Sequence, residues 1–99
     1  MTDLTGAQKK HLRGLAHHLK PMVQVGKNGV TDSVLELIGQ ALDDHELIKV
    51  RLADPQGRKK ELAEEIAERS GSVQVGLVGK VVTLYRRQPD PEKRKIEIP

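Results

Sequence analysis

The sequence predicts an α/β fold, a compact α-β-α-β-α-β-β layer sandwich with a four-stranded mixed sheet. Three observations carry this expectation. Apolar residues recur at helical spacing in three stretches, short runs with strand character separate those stretches, and two β-rich runs close the pattern around Gly79-Lys80. Helical crossovers make neighbouring strands parallel, whereas the closing hairpin is antiparallel.

Thr5 can cap a first helix over about residues 6–19, with Leu12, Leu15, Ala16 and Leu19 as its buried face. Lys9, Lys10, Arg13, His17 and Lys20 form a basic stripe on another side. Pro21 stops the helix, and Met22 to Val25 make a short strand. Val30, Val34, Leu37, Ile38, Ala41 and Leu42 predict a second helix over about 30–44. Glu46 to Leu52 alternates, placing Ile48, Val50 and Leu52 on one face and Lys49 and Arg51 on the other. Residues 53–57 have turn chemistry. A third helix over about 57–69 buries Leu62, Ala63 and Ile66 and closes at Ser70-Gly71. Strands at 73–78 and 81–86 follow, joined by a tight turn at Gly79-Lys80. Residues 88–99 read as a loose charged tail in which Ile96 and Ile98 could add an edge strand.

At 99 residues the chain accommodates one core, and 36% hydrophobic with 31% charged residues suits a folded domain. No apolar run approaches a membrane span and MTDLTGAQKK lacks a secretory apolar segment, so the expected address is cytoplasmic. The absence of cysteine excludes disulfides and cysteine-based zinc sites or nucleophiles. Tyr85 is the lone aromatic residue, which removes any platform for stacking several bases. The net charge of +3 is unevenly spread. Residues 1–29 hold five basic and one acidic residue, residues 30–78 six and ten, and residues 79–99 six and three. Basic ends around an acidic middle suit oriented binding to a polyanion.

Gly26-Lys27-Asn28-Gly29 lies between a strand and the second helix. The second helix is expected to start directly after Gly29, so its unpaired amides and dipole favour an anion there. The glycines let a ligand's backbone approach, Lys27 supplies a point charge, and Asn28 supplies a hydrogen-bond donor. The loop lacks the Gly-Lys-Ser/Thr ending of a nucleotide-triphosphate loop. It does match the GXXG loop with which KH domains clamp a nucleic-acid backbone. A second GXXG, Gly76-Leu77-Val78-Gly79, is apolar and lies at a hairpin, so turn and packing account for it.

LTGAQKKHLRGLAHHLKPMVQVGKNGVTDSVLELIGQALDDHELIKVRL, VQVGLVGKVVTLYR and KIEIP together resemble the YhbY-like CRM (chloroplast RNA splicing and ribosome maturation) domain over nearly the whole chain. The resemblance implies an RNA-binding domain over 1–87, similar to the C-terminal domain of translation initiation factor 3, followed by the tail at 88–99. It implies RNA binding through the GXXG loop and a neighbouring basic surface. It also points to the stand-alone bacterial members associated with precursors of the large ribosomal subunit, rather than the multi-domain plant relatives that act in intron splicing. The expected partner is ribosomal RNA, and the expected state is a monomer. The expected contacts are Gly26, Lys27, Asn28, Gly29, Lys9, Lys10, Arg13, His17, Lys20, Lys49, Arg51, Lys80, Arg86 and Arg87. Gly76 departs from the family pattern, where a bulky residue would pack better, and is expected to loosen its strand.

Other constellations are poorer. Arg58-Lys59-Lys60 opens the third helix, where cations oppose the dipole; that hints at a phosphate contact, but solvated side chains held by Glu64 and Glu65 are the favoured reading. Glu61, Glu64, Glu65 and Glu68 read as a solvated helix face. His17 and His18 diverge around the helix and His11 and His18 stand two turns apart, so no metal and no cofactor is expected. Ser33, Ser70 and Ser72 have no recognisable base, so no enzyme is expected. The alternative to RNA binding is a protein-interaction module using the acidic helices.

Overall fold

The computed structural model describes residues 4–53 and 57–98. Helix α1 spans Gly6–Ala16, strand β1 Pro21–Val25, helix α2 Asp32–His45, strand β2 Leu47–Leu52, helix α3 Lys59–Ser70, and strands β3 and β4 Val73–Val78 and Val81–Tyr85. The sheet runs β1-β2-β4-β3, with β1 parallel to β2 and the other neighbours antiparallel. The order and the mixed sheet are those the sequence predicts. Part of the turn expected at 53–57 lies outside the described residues. No helix among the described residues is long and apolar enough to cross a membrane.

Alternation along β2 divides the interior in two. Ile48, Val50 and Leu52 join Val23, Val25, Val82 and Leu84 under Ile38 and Leu42 of α2 and Ala63 and Ile66 of α3. Leu47 faces the other way, and with Val75 and Tyr85 it meets Leu12 and Ala16 of α1. The sheet therefore sits between two helical layers. Each buried aliphatic side chain contributes about 1.5–3 kcal/mol of hydrophobic stabilisation.

Reciprocal hydrogen bonds between Thr5 and Gln8 cap α1. The helix stops at Ala16, three residues before the expected end, and its last turn tightens as the Leu19 amide bonds the Ala16 carbonyl. Leu15 and Leu19, expected in the core, are 45% and 39% exposed. The reason is geometric: Leu12 and Ala16, one turn apart, are the buried positions of α1, and no packed layer reaches its flank. Leu37 of α2 is likewise 54% exposed, because Val34, Ile38, Ala41 and Leu42 already fill that helix's inward side.

The junction between α2 and β2 departs furthest from expectation. Glu46 is not a strand residue. It caps α2 in a left-handed conformation with φ +64°, and its amide bonds the Leu42 carbonyl at 2.8 Å. The residue is fully buried. One carboxylate oxygen accepts the Gln88 amide at 3.0 Å, and the other accepts the amides of Lys95 and Ile96. The tail is consequently docked rather than loose. Pro91–Lys93 forms a short 3-10 turn, while Ile96 and Ile98 pack on the α1-side cluster instead of forming an edge strand.

A bulge in β3 explains Gly76. The pairing with β4 shifts between Gln74 and Gly76, which places both Val75 and Gly76 on the α1 side. Arg13 lies across Gly76 and its Nη1 donates to the Val75 carbonyl at 2.9 Å. A Cβ added at Gly76 would stand 3.1 Å from Arg13 Cδ. The glycine thus fits the strand to the arginine rather than loosening it. Gly76→Val is expected to destabilise by about 1–3 kcal/mol through overpacking. Much of that loss should disappear in an Arg13→Ala background, a non-additivity that denaturant melts of the four chains would measure.

Candidate nucleic-acid interface

Val25 is the last buried residue of β1, and the chain then turns at the surface. The Gly29 amide donates to the Gly26 carbonyl at 3.0 Å, closing a four-residue turn with Lys27 and Asn28 at its corner. Gly29 adopts φ +75°, a conformation that side chains disfavour. A Cβ at Gly26, by contrast, would meet nothing within 4 Å, so the approach to the turn is open. Lys27 and Asn28 are exposed and their side chains hydrogen-bond no described residue.

Helix α2 does not begin directly after Gly29. Val30 and Thr31 intervene, and the Thr31 hydroxyl accepts the Val34 amide at 3.2 Å. Asp32 already sits at the positive end of the helix, 3.7 Å from Arg69. The capacity to hold an anion therefore belongs to the turn and its cations more than to a free helix end.

Two hydrogen bonds show what stands beside the turn. The Ala53 amide bonds the Val25 carbonyl at 2.8 Å, and the Leu52 amide bonds the Lys80 carbonyl at 2.7 Å. The carboxyl ends of β1 and β2 and the β3–β4 turn therefore share one end of the sheet. Lys27, Asn28 and Lys80 are exposed there. Arg51 is exposed in register with Gln24 and Val81, on the α1 side of the sheet. Lys49, half-buried, lies two residues back opposite Thr83 and Pro21, with exposed Lys20 just ahead of that proline.

The remaining expected contacts are dispersed. Lys9 and Lys10 precede His11, whose Nε2 lies 3.2 Å from the Glu97 carbonyl of the tail, so this part of α1 belongs to the tail side. His17 follows the end of α1, and its ring meets that of His18 edge-on at 5.3 Å rather than diverging from it. Arg13 is engaged with β3, as described above. Arg86 is withdrawn from the surface that its sequence position suggests. Its guanidinium donates to the Ser70 carbonyl at 2.7 Å, the Gly39 carbonyl at 2.9 Å and the Asp43 carboxylate at 2.7 Å, tying α3, α2 and the end of β4 together. Arg87 is exposed at that same far end of the sheet.

Gln24 is absent from the expected set, yet it is exposed, its side chain has no hydrogen bond among the described residues, and it is in register with Arg51. Its position between buried Val23 and Val25 was the available signal. Arg58, expected to be held by Glu64 and Glu65, instead pairs with Glu61 at 2.8 Å. Among the described residues, no group of three or more His, Cys, Asp or Glu could hold a metal ion.

Comparison with known proteins places this geometry among relatives. Residues 4–86 match the CRS1 / YhbY (CRM) domain. An RNA-binding protein of Haemophilus influenzae is 43% identical over 100 residues, covering 100% of this chain and 98% of its own. The probable RNA-binding protein YqeI of Bacillus subtilis is 42% identical over 97 residues, covering 97% and 99%. The solution structure of a hypothetical Staphylococcus aureus protein, described as a candidate RNA-binding protein, superposes with a TM-score of 0.82 at 37% identity, covering 98% of this chain and all of that one.

Proposed function

Since the chain belongs to the CRS1 / YhbY (CRM) domain family, we propose that it binds ribosomal RNA of the large-subunit precursor and acts in ribosome assembly, as a cytoplasmic monomer. The Gly26–Gly29 turn is the clamp on the RNA backbone. One observation carries this reading: an exposed turn with no side-chain partner among the described residues stands beside Lys80 and Arg51 at the open end of the sheet. Relatives named as RNA-binding proteins support RNA as the partner. Lys49 and Lys20 extend the basic track along the sheet. Glu36, Asp44, Glu64 and Glu68 are exposed on the two helices covering the opposite face, so the field of the molecule turns the loop toward a polyanion.

Five cations, Lys20, Lys27, Lys49, Arg51 and Lys80, make the expected phosphate contacts. The logarithm of RNA affinity should then fall linearly with the logarithm of salt, at a slope of about −3 to −4 for single-stranded RNA. Affinity should drop about tenfold for each doubling of salt. Titration of large-subunit RNA fragments at several salt concentrations measures the slope, and a flat response would sink the proposal. Sedimentation of cell extract supplies the assembly test: the protein should travel with precursor large subunits rather than with mature ones.

A further inference from the structure

We propose that the cleft between the C-terminal tail, α1 and the far end of the sheet binds a 5′-phosphorylated nucleotide, separately from the Gly26–Gly29 turn. The cleft has a volume of about 980 Å³, large enough for a nucleotide and in the range of known ligand clefts. Leu4, Val73, Ile96 and Ile98 give it apolar walls, while Arg87, Arg94 and Lys95 bring three cations besides Arg86, whose guanidinium is held by Ser70, Gly39 and Asp43. The side chains of Arg87 and Lys95 are without a protein hydrogen bond among the described residues. Arg94 spends its Nε on the Gln88 carbonyl at 2.8 Å, which leaves both terminal amino groups free to bind.

Tyr85 adds a hydroxyl. The residue is only 4% exposed, and its oxygen hydrogen-bonds no described residue. No buried side-chain oxygen lacks a partner among those residues, so this hydroxyl reaches the cleft. Burial pushes its phenol above the usual tyrosine value, as does Glu46, while Arg87 and Arg94 pull it back. The group therefore stays protonated, a donor within electrostatic reach of both guanidinium groups.

Charge and shape select the ligand. A carboxylate offers two oxygens and one charge, whereas a phosphomonoester carries three acceptor oxygens and a charge near −2, a better match to three cations and a hydroxyl. Inorganic phosphate would leave the apolar walls wet, and a base with its ribose would cover them. Among the described residues Glu97 is the one carboxylate residue in the lining, and the Glu46 carboxylate is taken up by backbone amides.

The test is an NMR titration of the full, ¹⁵N-labelled chain with adenosine 5′-monophosphate, inorganic phosphate and a tetra-aspartate peptide in parallel. The nucleotide should move the amides of Tyr85, Arg87 and residues 94–98, and should bind at least tenfold more tightly than phosphate. The double variant Arg87→Gln with Lys95→Gln removes no protein hydrogen bond. It should weaken nucleotide binding at least tenfold with an unchanged melting curve, whereas Lys27→Asp with Asn28→Asp should leave it intact. Shifts confined to the Gly26–Gly29 turn, no shifts at all, phosphate binding equal to the nucleotide, or binding of the peptide alone would each overturn the proposal.

Discussion

A chain carrying Lys27→Asp and Asn28→Asp is expected to bind ribosomal RNA about 30- to 150-fold more weakly, with its melting midpoint moved by no more than about 3 °C. Removing a charge-assisted contact costs about 1.5–3 kcal/mol, and each new carboxylate repels a phosphate 6 Å away by about 0.7 kcal/mol in water. Salt screens most of that repulsion, so a net loss of about 2–3 kcal/mol remains and gives the stated range. The fold should be indifferent, because both side chains are exposed and neither touches the core. The turn is closed by backbone groups of Gly26 and Gly29, which the substitutions leave in place. Fluorescence titration beside a thermal melt separates the outcomes. If affinity and melt are both unchanged, the loop is only a turn and the cations on the strands do the binding. A shallower salt slope, by about one phosphate, should accompany the loss.

The largest effect on stability is expected at Glu46. Glu46→Ala leaves three backbone amides, that of buried Gln88 and the part-buried ones of Lys95 and Ile96, without their acceptor and frees the tail, at a cost of about 3–5 kcal/mol. For a domain of this size that lowers the melting midpoint by about 15–30 °C. The left-handed backbone adds a second, opposite component, since glycine relaxes a conformation that alanine strains by about 1 kcal/mol. Glu46→Gly should therefore melt at or above Glu46→Ala despite its more flexible unfolded chain. Hydrogen exchange at the amides of Gln88, Lys95 and Ile96 should accelerate in both variants. A drop of only a few degrees with unchanged exchange would show that the carboxylate does not hold the tail.

What the sequence revealed and what it hid divide along a physical line. The order of elements was legible because β2 alternates strictly, and because Pro21, Ser70-Gly71 and Gly79 punctuate the chain locally. Periodicity marks a face as apolar, but whether another layer covers that face depends on distant residues. Leu15, Leu19 and Leu37 are exposed for that reason. Glu46 looked like one more polar strand position; only the tail, more than forty residues away in sequence, explains its burial. Arg86 followed the same logic, since its partners Gly39, Asp43 and Ser70 are brought to it by tertiary packing. The Gly26–Gly29 turn was readable as glycines around exposed polar residues, but the start of α2 was not. Thr31 in the cap position competed with the apolar Val30 as the start signal, and the hydroxyl prevailed.

Leu4 near the head of the chain and Ile98 near its foot rest on one small apolar cluster, at the end of the sheet opposite the Gly26–Gly29 turn. Proximity of this kind makes the domain a good subject for circular permutation, with a short linker joining the old ends and new ones opened elsewhere. It also makes a convenient bead for concatenation. Copies strung head to foot would keep every junction on one side and every Gly26–Gly29 turn on the other. The beads could then contact successive stretches of a single RNA, gaining avidity through effective concentration without altering a residue of the Gly26–Gly29 turn.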